Sequence, residues 1–519
     1  MAPGRAADEP GAAGRRMGHH GRVSLTGLDR SRPRPGTGAH QTRGAWRGLP
    51  GPDSIWWLAL VAAAFTVSQF AYLTLHAQLG WDEVVYVSQV SSHAPAAWFD
   101  PARSRGVPLL VTPVMMLTSS VTALRAYLAV VSGLGLFGAL LAWRRLRPAW
   151  VLALAGLLLG SLWVVRYYGS RAMPNLWLAL AGLAAVGLFL QAAAALAPDG
   201  GRQPSRRRAW GLLAGLAACV AVAALMRPGD AVFLAAPLVV AVLVVGRWRR
   251  WQLAAAIVAG LVAGGLEWAI EAYARFGGVF PRLHAASAEQ GGLGLHLGVL
   301  AELHALNGPV QCRPCTIGWQ HPALSVWWLA LPALAALGLL AAHRAGRLGS
   351  GLLAAVCGLV VAVQYLFLLD YADPRFLIPA YALLAVPVAD GLGWLLTGVR
   401  PGLRPVTWTL VVAALALQLV SQQSVLYKEL HTHNNFSRTG ADLNRLGVVP
   451  PCLVRGKLLI PIAYYAGCAS APLPADAGPG VHVAVLKVTG NGPPAWARGW
   501  QPHRLRGTPL TAFVRPPGR

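Results

Sequence analysis

Two adjacent carboxylates, Asp82 and Glu83, stand just beyond the first long apolar run, in Trp81-Asp82-Glu83-Val84-Val85-Tyr86. Like charges side by side raise one pKa of the pair, and a carboxylate so placed can take a proton from an attacking hydroxyl. The plainer reading is a solvated loop acid, or a cap for a helix that starts near Tyr86. Acids and arginines recur together further along: Arg166-Tyr167-Tyr168-Gly169-Ser170-Arg171, Met226-Arg227-Pro228-Gly229-Asp230, and Asp370-Tyr371-Ala372-Asp373-Pro374-Arg375. Glu267 and Glu271 lie one helical turn apart, with Arg275 a turn beyond. Each set alone reads as an interfacial ion pair or a snorkelling Arg. Together they place guanidiniums at one membrane face with an acid nearby, a site suited to an anionic head group.

The elements that position these residues follow from composition. Of 519 residues, 55% are hydrophobic and 12% charged, and mean hydropathy is +0.50. A soluble domain carries about 25% charge, so a water-soluble two-domain enzyme is excluded and a multi-span membrane protein expected. The net charge of +25 comes from 44 Lys and Arg against 19 Asp and Glu. The arginines fall in short clusters between apolar runs rather than on a basic, aromatic-laced soluble face, so nucleic acid is not an expected partner. Apolar runs near 55–75, 125–142, 149–166, 175–196, 209–226, 230–246, 251–272, 323–342, 350–369, 375–396 and 404–422 are each long enough for a helix to span the bilayer, about eleven spans in all.

Basic clusters at 144–147, 202–208, 247–250, 343–347 and 400–404 fall at every second junction. Positive loops stay inside, so this phase predicts a cytoplasmic N-terminus and an extracytoplasmic C-terminal segment. The expected domains are a disordered basic tail (1–53), a transmembrane domain (54–425) with outside loops at about 76–124 and 273–322, and a small extracytoplasmic α/β domain (426–519). The Pro-interrupted stretch 107–122 reads as an interfacial helix, and 482–488 as a strand of the last domain. Cys219 and Cys357 are apolar fillers within spans. Cys452 and Cys468 fall in the exported domain, where a disulfide persists, and Cys312 with Cys315 in an outside loop reads best as a second, short-ring disulfide.

The pattern Asp82-Glu83-x-x-Tyr86 in the first outside loop resembles the hallmark of membrane glycosyltransferases of the C fold (GT-C), the protein O-mannosyltransferases and lipid A aminoarabinose transferases among them. Arg375-Phe376-Leu377-Ile378-Pro379 is similar to their Arg-Tyr-x-x-Pro motif, and 168–174 with Asn175 to their aromatic-to-Pro-Asp segment. Two positions depart from the pattern: Arg105 stands near a usual Lys- or His-Pro-Pro stretch, and Asn175 where an acid is common.

The resemblance implies inverting transfer of a mannose- or arabinose-like sugar from a polyprenyl-phosphate donor to a hydroxyl of a glycan, lipid or protein acceptor, with membrane lipids around it. It implies Asp82 as general base with Glu83 beside it, and Arg105, Arg171 and Arg375 as contacts of the donor phosphate. Tyr86, Arg166, Arg227, Glu271, Arg275 and Asp373 complete the expected outside face. No cofactor is required, because phosphate is a good leaving group; a divalent metal ion is the alternative. The competing classes are a lipid or polysaccharide transporter or flippase, a polysaccharide polymerase, and a scaffold. Transporters carry polar groups near the bilayer midplane, whereas these spans are apolar in their middles.

Overall fold

The computed structural model describes residues 51–72, 77–197, 206–292, 294–307, 318–319, 322–431, 435–471 and 480–515. The expected tail up to residue 50, and Cys312 with Cys315, lie outside the described residues. The membrane part opens with α1 (Trp56–Tyr72), then two short helices, α2 (Trp81–Val87) and α3 (Gly106–Met115). There follow α4 (Val121–Leu141), α5 (Ala149–Ser161), α6 (Trp163–Gly169), α7 (Pro174–Ala195), α8 (Arg206–Met226), α9 (Pro228–Val244) and α10 (Trp251–Phe276). The second outside loop carries α11 (Val279–Glu289) and α12 (Val299–Ala305). Then come α13 (Val326–Arg344), α14 (Leu348–Phe367), α15 (Ile378–Gly398) and α16 (Arg404–His431).

Eight of the described helices are long and apolar enough to cross a membrane, or nine if α5 and α6 count as one bent span. Two more, α1 and α9, are apolar and 17 residues long. Each expected span thus coincides with an apolar helix. The break between α5 and α6 turns the chain by 81° just after Gly160-Ser161, a pair of the kind at which helices kink. The stretch expected as an interfacial helix folds as α3, whose 10 residues are too short to span. The last span runs further than its apolar pattern suggested, since α16 continues to His431.

Close approach of backbones holds the bundle where side chains are small. On α10, Gly260 and Gly264 lie against α8, and a Cβ at either would fall 2.5 and 2.1 Å from the carbonyl oxygens of Ala217 and Ala221. In lipid, such small-residue seams allow the dense packing that drives helix association. At the far end of α10, Gly277 in the left-handed conformation (φ 77°) stops the helix and turns the chain into the second outside loop. The bundle also buries an ion pair: Arg147, from the first basic cluster, donates through Nε to Asp390 of α15 at 2.7 and 2.9 Å.

The C-terminal segment contains α17 (Phe436–Arg445), β1 (Cys452–Gly456), α18 (Leu459–Ala466), β2 (Ala469–Ser470), β3 (His482–Val488), β4 (Gln501–Arg504) and β5 (Leu510–Val514). Its sheet has the order β2-β1-β3-β5-β4, with β1 parallel to β2 and β3, and β5 antiparallel to β3 and β4. Cys452 and Cys468 are joined by a disulfide. The two tyrosines of α18 reach the membrane part: Tyr465 Oη accepts from the backbone N–H of Leu79 at 2.8 Å, and Tyr464 Oη is 3.1 Å from Ser91 Oγ. Those contacts bracket α2, which carries the acidic pair.

Candidate active site

Helix α2 starts at Gly80, whose backbone N–H donates to Glu83 Oε2 at 3.1 Å. This reach-back by the third helical residue satisfies a donor that the short helix leaves open. Successive side chains on a helix point about 100° apart, so the neighbouring carboxylates look in different directions. Glu83 turns inward and is 2% exposed. Its oxygens accept from Arg125 Nη1, from Arg125 Nη2 at 2.8 Å, from Arg171 Nη1 at 2.9 Å and from the N–H of Ala172 at 2.9 Å. Burial opposes ionisation of Glu83, but the Arg125 and Arg171 guanidiniums outweigh it and draw its pKa down to about 2. A carboxylate so saturated is a staple between α2, α4 and the turn before α7.

Asp82 turns outward into a cavity of about 430 Å³ lined also by Tyr86, Asp100, Arg103, Arg227, Glu289, Tyr371 and Arg375. Arg103 Nη2 donates to Asp82 Oδ1 at 2.7 Å, and Arg375 Nη2 lies 3.0 Å from Asp82 Oδ2. Arg375 also reaches Asp373 at 3.1 Å and, through Nη1, Tyr168 Oη at 3.5 Å. Burial alone would raise the Asp82 pKa, but Arg375 and Arg103 hold it below the usual carboxylate range. For Asp373 burial wins over Arg375 and pushes the pKa up to about 6. Behind it, on α12, buried Glu302 is pushed up to about 8 by its own burial and then by the Asp373 charge.

Of the residues expected from sequence, Asp82, Tyr86, Arg227 and Arg375 meet at this cavity, and Asp373 supports it from behind. The others are placed elsewhere. Glu83 and Arg171 pair with each other away from the cavity. Arg105 sits beside it, bound to Glu271 Oε1 at 2.5 Å and Gln89 Oε1 at 2.9 Å, with its guanidinium 3.9 Å from the Phe99 ring. Glu271 also holds Arg275 at 2.8 Å and Arg282 at 2.9 Å, so this expected outside acid is the hub of a salt-bridge cluster. Arg166 lies on the other side of α6, where Nη1 donates to Gln423 Oε1 at 2.8 Å. Asn175 is fully buried, while its neighbours Met173 and Pro174 line the cavity.

Arg103, which is not among the residues expected from sequence, lines the cavity beside Asp82, where Arg105 two residues on was expected. Arg282, likewise outside the expected set, fixes that segment by donating to the carbonyls of Pro101, Trp268 and Arg103 at 3.1, 2.7 and 2.8 Å. The signal for Arg103 was faint: one more arginine in Ala102-Arg103-Ser104-Arg105, with nothing in spacing to say which one turns inward.

A divalent cation finds little to bind here. Among the described residues no group of three or more His, Cys, Asp or Glu side chains is placed to hold a metal ion. The acidic pair is split between opposite sides of α2, and Asp82 is already flanked by two guanidiniums, which disfavour a second cation. The residues present therefore do not fit a resident metal at Asp82.

A second cavity, about 370 Å³ and mostly apolar, opens beside the first between α9, α11 and the end of α14. Ala102, Arg227 and Gln290 line both. The apolar cavity thus meets the polar one at a guanidinium.

No family model matches the chain, and no curated protein matches it. Solved structures do. ArnT from Cupriavidus metallidurans bound to undecaprenyl phosphate has a TM-score of 0.61 at 14% identity, over 90% of this chain and 99% of that one. Its apo state gives 0.57 at 15% identity, over 88% and 98%. The oligosaccharyltransferase AglB from Archaeoglobus fulgidus, in complex with an inhibitory peptide and a dolichol-phosphate, gives 0.52 at 12% identity, over 80% and 64%. The chain is a multi-pass membrane protein with the GT-C fold.

Proposed function

We propose that this protein is a membrane glycosyltransferase that moves a sugar from a polyprenyl-phosphate donor to an acceptor hydroxyl, with inversion at the anomeric carbon. The observation that carries the reading is one juxtaposition. Three guanidiniums (Arg103, Arg227 and Arg375) line one cavity with the carboxylates of Asp82, Asp100 and Glu289, and that cavity joins an apolar one at Arg227. A polyprenyl-phosphate sugar has the same sequence of parts: apolar chain, anionic phosphate, polar sugar. Seated with its chain toward Phe233, Leu283 and Leu369, it brings its phosphate to Arg227 and its sugar toward Asp82. The structures of ArnT with undecaprenyl phosphate and of AglB with a dolichol-phosphate support a lipid-phosphate ligand for this fold.

In the reaction the acceptor oxygen attacks the anomeric carbon, its proton passes to Asp82, and the bond from that carbon to the phosphate oxygen breaks. Polyprenyl phosphate leaves as an anion, and guanidiniums in a poorly solvated cavity stabilise the charge that develops on it. The resting ion pairs bear on timing. Asp82 is a weak base while Arg103 and Arg375 hold it. An arriving phosphate competes for those guanidiniums and adds a negative charge nearby, and both effects raise the basicity of Asp82. The donor thereby activates the base that its own transfer needs.

The mannose- or arabinose-like character of the sugar, and a glycan, lipid or protein acceptor, remain part of this reading, as do the extracytoplasmic placement of the cavity and the cytoplasmic N-terminus. The test is incubation of purified protein with a panel of radiolabelled polyprenyl-phosphate sugars and candidate acceptors. Release of polyprenyl phosphate with label appearing in an acceptor supports the reading; label that stays on every lipid overturns it.

A further inference from the structure

The two faces of the C-terminal sheet meet different surroundings. On one face Ala484 and Leu486 of β3 and Ala512 of β5 share a core with Ile462 and Ala463 of α18 and Leu443 of α17. Helix α18 also touches the membrane part through Tyr464 and Tyr465, so it lies between the sheet and the bundle. Side chains alternate along a strand, so the intervening residues point away from the bundle. Directly opposed residues share a face, and the register puts Lys487 of β3, Thr511 of β5 and Arg504 of β4 in one row there. Arg455 of β1 stands opposite Val485 on the same face, and its guanidinium is 5.4 Å from the Trp496 ring. Trp500 meets Trp496 edge to face, with ring centroids 5.4 Å apart.

Two indoles and three cations thus share the outward surface. Trp496 is 45% exposed, Arg498 between the two tryptophans and Arg504 are exposed, and Lys487 is half-buried. Residues 435–519 contain ten Lys and Arg but only two acids, Asp442 and Asp476. Asp442 sits across the sheet on α17, bound to Arg445 and to the backbone N–H of Arg506, and Asp476 lies outside the described residues. Among the described residues no carboxylate pairs with Lys487, Arg498 or Arg504. A sugar ring offers C–H groups that pack on the electron-rich face of an indole, and guanidinium and ammonium groups hold carboxylate or phosphate. Lipid head groups of the bilayer lie on the bundle side of the sheet, not on this one.

We propose that the outward face of the C-terminal domain binds an anionic polysaccharide, with sugar rings against Trp496 and Trp500 and acidic groups at Lys487, Arg498 and Arg504. This surface is separate from the Asp82 cavity and does not depend on the glycosyltransferase reading.

The test passes the full-length protein, in mild detergent, over immobilised polygalacturonate and phosphomannan, glycans that carry carboxylates and phosphates respectively. Dextran serves as the uncharged glycan and polyglutamate as the polyanion without sugar. The expected result is binding to at least one charged glycan that is about tenfold or more tighter than to dextran or polyglutamate. Trp496→Ala with Trp500→Ala weakens that binding about fivefold or more, and so does Arg498→Gln with Arg504→Gln. The two arginines are exposed, so their variant keeps the test decisive if the tryptophan variant folds poorly. Binding to neither charged glycan overturns the proposal, and so does binding that both double variants leave unchanged. Polyglutamate held as tightly as the glycans would assign the surface to an acidic polypeptide and also overturns it.

Discussion

Glu83 and Asp82 call for different substitutions because their carboxylates meet different surroundings. Glu83 neutralises two buried guanidiniums, Arg125 and Arg171. Removing one partner of a buried ion pair typically costs ~3–5 kcal/mol, so Glu83→Gln is predicted to fold with a lowered melting temperature and a reduced recovery. The pH dependence follows from the same pairing. Because the folded pKa is drawn from 4.5 down to about 2, the stability Glu83 contributes is fully present above pH 4.5 and is lost as pH falls toward 2. Thermal unfolding measured across that window should show a decline in the wild type that Glu83→Gln flattens. Arg375→Lys tests the cation at the other carboxylate. A guanidinium meets Asp82, Asp373 and Tyr168 at once, and an ammonium cannot reproduce that planar fork, so donor affinity should weaken about tenfold or more in a binding titration. Asp82, Tyr86 and Arg375 were legible in the sequence because two short motifs carry them. The division of labour between Asp82 and Glu83 was not, because it depends on which way α2 is rolled, and that is fixed by Arg125, 42 residues away in the chain.

The helices themselves were the easiest part to read, since a run of apolar residues in lipid has little choice but to close its own backbone hydrogen bonds. Ion pairs between helices left no such trace. Arg147 reads as one more positive-inside residue of its cluster, yet it is 3% exposed and bound to Asp390, an acid 243 residues later. Asp390→Ala strands that guanidinium and is predicted to destabilise the bundle by ~3–5 kcal/mol, whereas the same loss of charge at Arg144, which is exposed, should change little. Melting temperatures of the two variants in one detergent decide the point. The strand at 482–488 was visible from its alternation and is β3, but the other four strands are short and owe their pairing to the sheet rather than to local pattern. In the same domain, the disulfide between Cys452 and Cys468 closes a loop of sequence separation 16, for which chain entropy gives roughly 3 kcal/mol. Replacing both with Ala should lower the unfolding midpoint and loosen the Tyr464 and Tyr465 contacts that bracket α2.

Across the whole molecule, the proposed reaction needs the polar cavity, the apolar cavity and the C-terminal domain on one side of the membrane, with the basic loops on the other. Reporter fusions at Gly201 and Gly478 test that arrangement: activity of a cytoplasmic-type reporter is expected at the first position and not at the second. Activity at both would break the alternation on which the orientation rests. The claim on which everything else converges is that Asp82 takes the acceptor's proton. A positioned general base contributes about 100- to 10,000-fold to rate. The most direct measurement is therefore the single-turnover transfer rate of correctly inserted Asp82→Asn at saturating polyprenyl-phosphate sugar, with donor binding measured on the same preparation. The expected rate is lower by about that factor with donor binding kept; a near-normal rate would contradict the base role of Asp82 and remove the carboxylate mechanism.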